Sequence, residues 1–205
     1  MEIFDIIKRR RTIRLFLKKP VEKEKIDIML EGARLAPSGA NIQPVKYIAV
    51  TDKEYCDKIF PLTKWAGYTA PKGAPTKETS PTAYIIVLID EDLRKDGDND
   101  ACYASENIVL LAESMGIGSC ILGSVQRSEI KELFNISDNL RIHTVIALGY
   151  PKQKSSYFDF EDSVKYYVDE NNDLHVPKRK IEEIVSYFWV NQSILENFKE
   201  KQLLY

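Results

Sequence analysis

The residue types nearest the amino terminus form the clearest candidate binding site in the sequence. Residues 9–14 read RRRTIR, which places four guanidinium groups and one hydroxyl within six residues. Guanidinium groups stay charged and bind phosphate oxygens in bidentate geometry, and Thr12 can donate one further hydrogen bond. In an extended segment, alternate side chains point to one side, so Arg10, Thr12 and Arg14 would converge. The pattern predicts a phosphate clamp; charge alone leaves open a solvated basic patch.

A second candidate site lies in residues 36–44, which read APSGANIQP and contain small residues and two amides. Glycine lets the backbone approach a flat ligand closely. Asn41 and Gln43 each offer a donor and an acceptor, which suits the edge of a heterocycle that presents both. The alternative is an ordinary helix-to-strand connection in which the asparagine bonds to its own backbone.

The apolar spacing predicts the elements that must position these two segments. Helices are predicted over residues 1–10, 22–36, 52–60, 100–115 and 127–134. β-Strands are predicted over residues 45–50, 83–89, 117–122 and 142–148. A last helical stretch is expected from Lys180 onwards, with interruptions. Because strands and helices alternate but are separated by long irregular insertions, we expect an α+β domain with a mixed central β-sheet.

Composition limits the classes of protein that fit. A chain of 205 residues favours one domain over residues 1–205, and a net charge of −2 provides no global field to attract nucleic acid. The three cysteines form no C-x-x-C pair, and neither histidine has metal-ligand spacing, so no metal site is predicted. The longest apolar run is too short to cross a bilayer. We expect a cytoplasmic protein without a membrane or nucleic-acid partner.

The segment 65–81 contains several prolines and glycines, which predicts a long loop rather than a regular element. Loops of this length in a compact domain are often binding loops. Trp65 and Tyr68 are therefore candidate contacts for a substrate. The alternative for both rings is packing or simple surface exposure.

Several separated motifs together resemble the nitroreductase family. They are RRTIRLF at residues 10–16, PV at 20–21, ARLAPSGANIQP at 33–44, NIVLLA at 107–112, GIGSC at 116–120 and GYP at 149–151. The resemblance covers most of residues 1–151, and residues 178–185 more weakly. It implies an α+β, domain-swapped homodimer, with helices on both faces of the sheet, that binds flavin mononucleotide (FMN) at the subunit interface.

The resemblance also assigns roles to individual residues. It implies that the phosphate and ribityl chain of FMN are held by Arg10, Arg11, Thr12 and Arg14. It implies that the isoalloxazine ring is reached from the other subunit by Pro37, Ser38, Gly39 and Asn41, with Gln43 a further candidate at the ring edge. Backbone groups of Gly123 and Ser124 would meet the ring, and Lys178 or Arg179 would add a last phosphate cation. No general acid or base is implied.

The implied function is an FMN-dependent oxidoreductase that transfers electrons from NADH or NADPH to a small acceptor, such as a nitroaromatic or a quinone, by a ping-pong mechanism. Residues 186–205 would form a helical extension that packs on the partner subunit. One alternative is a specialised flavin enzyme of the same fold, acting in dehalogenation or flavin breakdown. Another, from a different class, is a non-catalytic module that binds anions or RNA through the basic amino terminus.

Overall fold

A four-stranded antiparallel sheet forms the centre of the fold. The computed structural model describes residues 2–188. The strands are β1 (Val45–Val50), β2 (Ala83–Asp90), β3 (Gly118–Leu122) and β4 (Leu140–Gly149), in the order β1-β2-β4-β3. Seven successive residues of β2 are buried, which is why this strand has a continuous apolar sequence rather than an alternating one.

The sheet differs in one respect from the predicted mixed sheet. All neighbouring named strands pair antiparallel. β2 and β3 run parallel to each other, but β4 lies between them, so the connection from β2 to β3 creates no parallel neighbours. One parallel bridge joins Thr12 to Ser119 at the sheet edge. The α+β class is confirmed, and the sheet is mixed only through this edge contact.

Helices cover both faces of the sheet, as predicted. α2 (Lys23–Arg34) and α4 (Asp98–Ser114) pack on one face, and α3 (Lys53–Ile59) and α5 (Arg127–Phe134) on the other. Their apolar residues recur at helical spacing, so each helix presents one stripe to the sheet. None of the helices within residues 2–188 has the length and apolar character that crossing a membrane would require.

The segment that carries the arginines is fixed to the edge of this sheet. It follows α1 (Ile3–Arg9), and Arg10 already has the non-helical dihedral angles φ −55° and ψ 112°. Ile13 N donates to Ser119 O at 2.8 Å. A Cβ atom on Gly118 would lie 2.9 Å from Ile13, so only glycine permits this approach. Phe16 is fully buried and anchors the far end of the segment.

A second, three-stranded sheet follows the first and was not predicted. It contains β5 (Ser155–Asp159), β6 (Tyr167–Val168) and β7 (Leu174–Lys178) in the order β5-β7-β6. The helix expected from Lys180 is the single turn α6 (Ile181–Ile184), and residues 185–188 are not helical. Most of the predicted carboxy-terminal extension lies outside the described residues.

Candidate functional site

Arg10 and Arg14 are held at the sheet edge with unused hydrogen-bonding capacity. Within residues 2–188, Arg10 Nε and Arg14 Nη1 are buried and have no hydrogen-bond partner. Arg10 Nε lies 3.7 Å from Glu106 Oε1, which is an ion pair but too long for a hydrogen bond. Arg14 is 9% exposed, and its guanidinium lies 4.6 Å from the centre of the Tyr166 ring. Buried donors of this kind require an acceptor, and an anion would supply one.

Gln153 positions Arg14 and was missed from the sequence. Its Oε1 accepts hydrogen bonds from the backbone N–H groups of Arg14 at 2.6 Å and Leu15 at 2.9 Å. Its Nε2 donates to Asn172 O at 2.9 Å, and the residue is 6% exposed. The one signal in the sequence is that an amide side chain follows Pro151 by two residues, in a segment without a predicted helix or strand. Backbone N–H groups of irregular segments need such side-chain acceptors.

Arg11 has contacts of a different kind. Its Nη2 donates to Ile7 O at 2.8 Å and to Lys8 O at 2.9 Å, which satisfies carbonyls at the end of α1. Its guanidinium lies 5.1 Å from the centre of the Tyr157 ring. Burial, and then the positive charge of Arg10, lower the pKa of Arg11. The present contacts of Arg11 Nη2 stabilise the helix end, while Arg11 Nε is buried and has no hydrogen-bond partner among the described residues. The phosphate role of Arg11 stays a prediction.

Lys178 and Arg179 have different surroundings. Lys178 is exposed at the end of β7, and its pKa is lowered by partial desolvation and by the positive charges of Arg11 and Arg10. Arg179 instead pairs with Glu183 at 3.7 Å and lies over the Phe160 ring. A cluster of mutually repelling cations is stabilised by a bound anion. We call Arg10, Arg11, Arg14 and Lys178 the cationic corner.

Residues 37–43, here called the bend, form the second candidate segment and have a strained backbone. Ala40, Asn41 and Gln43 have φ angles of 49°, 55° and 55°. Such left-handed conformations cost non-glycine residues about 1–3 kcal/mol each and cluster at functional sites. Asp100 and Ser38 hold the bend: Ser38 Oγ donates to Asp100 Oδ2 at 2.6 Å and accepts from Gln43 N at 2.8 Å.

Among the described residues, no hydrogen bond or ion pair joins the cationic corner to the bend of the same chain. Both touch α4, the bend at Asp100 and the corner at Glu106. Six residues of α-helix separate these contacts by about 9 Å along the axis and about 120° around it. The cavity of about 230 Å³ beside the bend is lined by Pro37, Ser38 and Gln43 but not by the arginines of residues 9–14.

Gly123 and Ser124 lie beside the start of the long loop. Lys64 N donates to Ser124 O at 3.0 Å, and Arg127 Nη2 donates to Gly123 O at 3.0 Å. A bridge between Thr63 and Val125 fixes the two segments together. Both residues are exposed and directly follow β3, and their contact with the flavin ring stays a prediction.

The two candidate substrate residues have different surroundings. Trp65 Nε1 donates to Thr63 Oγ1 at 2.8 Å, and its ring packs on the core between the sheet and α3 and α5. Trp65 therefore has the packing role that the sequence left open. Tyr68 is 59% exposed and lies 5.0 Å from Tyr166, the ring that covers Arg14. Tyr68 is thus linked to Arg14 of the cationic corner through the ring of Tyr166, and Trp65 has no such link among the described contacts.

The fold and the site define a class of protein: an α+β domain with a cationic corner suited to a phosphate and a polar bend suited to a flat ring. The chain belongs to the nitroreductase family, because the family model of that description matches residues 7–150. The resemblance found in the sequence is thereby confirmed.

Relatives and solved structures agree with this assignment. The chain is 33% identical over 169 residues to a candidate NADH dehydrogenase/NAD(P)H nitroreductase of Archaeoglobus fulgidus, covering 78% of this chain and 92% of that protein. It is 27% identical over 184 residues to an iodotyrosine deiodinase of Thermotoga neapolitana, covering 80% and 97%. The solved FMN-dependent nitroreductase of Clostridium difficile R20291 is similar with a TM-score of 0.65 and 25% identity, covering 78% of this chain and 92% of that one.

Proposed function

We propose that the protein is an FMN-dependent oxidoreductase that takes electrons from NADH or NADPH and passes them to a small acceptor. The observation that carries the proposal is the set of three buried guanidinium nitrogens, on Arg10, Arg11 and Arg14, that have no hydrogen-bond partner within residues 2–188. Family membership, relatives named as NAD(P)H nitroreductases and a solved structure named as an FMN-dependent nitroreductase support the same activity.

The cationic corner fits the phosphate of FMN. A phosphate monoester carries a charge of about −1.5 to −2 at neutral pH. Arg10, Arg14 and Lys178 would neutralise that charge, with Arg11 adjacent and Thr12 as a hydroxyl donor. Each charge-assisted hydrogen bond is worth about 1.5–3 kcal/mol, so two arginines would raise the affinity for FMN by about 10²–10⁴-fold.

The bend would hold the isoalloxazine ring, together with the backbone of Gly123 and Ser124. Bound FMN supplies the hydride acceptance and donation, and the protein orients it and tunes its electron affinity. Pro37, Ser38, Gly39 and Asn41 would contact the ring, and Gln43 would offer its amide to the ring edge. These groups bind and orient, and no side chain is assigned a proton-transfer role.

The complete site requires two copies of the chain. Because one chain keeps its corner and its bend apart, we assign the bend that completes each site to the partner in a homodimer. Ile3, Phe4 and Leu35 are each more than 60% exposed, and such an apolar surface is suited to burial against a second copy. The packing of residues 186–205 on the partner, like the cytoplasmic location, stays a prediction.

The acceptor is a small molecule such as a nitroaromatic or a quinone. Exposed Tyr68 offers an aromatic surface for a flat acceptor near the corner. Reductive dehalogenation is the second candidate, since one relative is named as an iodotyrosine deiodinase. Binding of RNA by the amino terminus fits the geometry less well, because Arg14 is almost fully buried and phosphates of a polymer are bound at exposed cations.

Steady-state kinetics test the proposed reaction. If the nicotinamide leaves before the acceptor enters the same space, plots of reciprocal rate against reciprocal NADH or NADPH concentration are parallel at different acceptor concentrations. A quinone, a nitroaromatic and an iodotyrosine are compared as acceptors. Protein that is colourless after purification and incubation with FMN, and that oxidises neither nicotinamide, would contradict the proposal.

Lys178 gives FMN binding a specific pH dependence. Phosphate binds the protonated amine of Lys178. In the protein without FMN, the pKa of Lys178 is lowered by partial desolvation and by the positive charges of Arg11 and Arg10. The affinity for FMN is therefore expected to fall as pH rises through this lowered pKa, before ordinary lysines titrate. FMN fluorescence titrations from pH 7 to 10 should show this fall in wild-type protein and in Arg179→Gln, but not in Lys178→Gln. Identical pH profiles in all three proteins would exclude Lys178 from the corner.

A further inference from the structure

The bend is held in its strained shape by one buried carboxylate. Asp100 lies in the first turn of α4 and is 5% exposed. Its Oδ2 accepts a hydrogen bond from Ser38 Oγ at 2.6 Å, and its Oδ1 accepts one from Gly39 N at 3.3 Å. The positive end of the helix dipole stabilises a carboxylate at this position. Asp100 therefore fixes the start of the bend to the rigid helix.

Ser38 transmits this constraint to the far end of the bend. While its hydroxyl hydrogen is directed to Asp100, its oxygen accepts a hydrogen bond from Gln43 N at 2.8 Å. The bend is thereby closed between residues 38 and 43. The left-handed residues Ala40, Asn41 and Gln43 lie inside or at the end of this closed turn, so the hydrogen bonds oppose relaxation of their backbone.

Arg94 holds the other side of the same peptide segment. Its Nη1 lies 3.4 Å from Gly39 O, and its Nε donates to Asp96 Oδ1 at 2.8 Å. A Cβ atom on residue 39 would lie 2.2 Å from Arg94 Nη1, so glycine leaves the space that the guanidinium occupies. The amide N–H of Gly39 is thus held by the carboxylate of Asp100, and its carbonyl by the guanidinium of Arg94.

We infer that Asp100 is a positioning residue for the flavin reaction: it orients the bend so that the amides of Asn41 and Gln43 meet the FMN ring bound by the partner subunit. This inference rests on the proposed function. Asp100 acts through Ser38 and Gly39 and does not itself contact the cofactor. The hydrogen bond from Ser38 to the buried carboxylate of Asp100 restrains the position of the bend. Small displacements of groups at a reacting centre have large effects on rate.

The test compares Asp100→Asn with wild-type protein loaded with FMN. Asparagine has the same size but replaces one acceptor with a donor, so one of the two hydrogen bonds is lost. The rate at which NADH or NADPH reduces the bound flavin, measured by stopped flow, is expected to fall about 10-fold. KM for the nicotinamide should stay within about twofold. The visible circular dichroism of the flavin should change, because the ring meets a displaced bend.

Matched variants separate positioning from general destabilisation. Ser38→Ala should reproduce the effect, while Ser38→Thr keeps the hydroxyl and should restore the wild-type rate. Asp98→Asn is the control on the same helical turn, since Asp98 bonds to Arg141 at 3.0 Å and not to the bend. It should leave the flavin spectrum and reduction rate unchanged.

The outcomes distinguish this inference from the proposed function. If wild-type protein binds FMN and is reduced by a nicotinamide, but Asp100→Asn has the wild-type spectrum and rate, Asp100 is not a positioning residue and the proposed function stands. A lower melting temperature with an unchanged spectrum and rate also overturns the inference, because that is a purely structural role. If wild-type protein binds no FMN, the proposed function fails and the inference fails with it.

Discussion

The double variant Arg10→Ala, Arg14→Ala is expected to lose its FMN. Both guanidinium groups have a buried nitrogen without a hydrogen-bond partner in the part of the chain described. If each donates a charge-assisted hydrogen bond worth about 1.5–3 kcal/mol to the phosphate, their joint loss raises the dissociation constant by about 10²–10⁴-fold. Quenching of FMN fluorescence on titration with protein measures this change directly.

Arg9→Ala is the matched control for that experiment. Arg9 is adjacent in sequence, but it pairs with Glu113 at 3.3 Å and its side chain is 52% exposed. Removing a surface ion pair of this kind changes stability by about 0–1 kcal/mol and should leave FMN binding within a few-fold of wild type. An unchanged dissociation constant in the double variant, with a wild-type circular dichroism spectrum in the far ultraviolet, would show that these arginines do not bind the phosphate.

The regular elements of the fold could be predicted from the sequence because apolar periodicity determines burial. β1 and α5 have the predicted bounds, Val45–Val50 and Arg127–Phe134. α4 begins two residues earlier than predicted, at Asp98. The relative direction of neighbouring strands is not encoded in periodicity, which is why the antiparallel order of the central sheet was found only in the structure.

The second sheet escaped prediction because its strands are short and mostly exposed. In β5 no residue is buried, and β6 has two residues, so neither strand shows the alternation of a half-buried strand. β7 has only Leu174 and Pro177 buried. β7 ends at Lys178, whose pKa is lowered by partial desolvation and by the positive charges of Arg11 and Arg10. The choice of Lys178 over Arg179 as the phosphate cation stays a prediction.

At the site, the sequence indicated the ligand-binding residue types but not the residues that hold them. RRTIR and PSGAN are recognisable because their types match phosphate and heterocycle chemistry. Gln153 and Asp100 are separated from their partners by 139 and 62 residues, and no local pattern connects a polar residue to a backbone group so distant in the chain. Such supporting contacts are a property of the folded state.

Mixed dimers give the second prediction of large effect and test the central claim, that each FMN site combines the cationic corner of one chain with the bend of the other. One chain carries Arg10→Ala with Arg14→Ala. The other carries Ser38→Gly, Ala40→Gly and Asn41→Gly, which remove three side chains of the bend but keep its length. Each homodimer should be nearly inactive, since every site has one defective half.

The two chains are co-expressed with different affinity tags, and heterodimers are isolated by sequential purification. In a twofold dimer with shared sites, one site then receives both defective halves and the other receives both intact halves, so about half of the wild-type activity per dimer is expected. In the reciprocal control, one chain carries all five changes and its partner is wild type, and this heterodimer should be nearly inactive. An inactive first heterodimer together with a half-active control would place both halves of each site in a single chain and contradict the account.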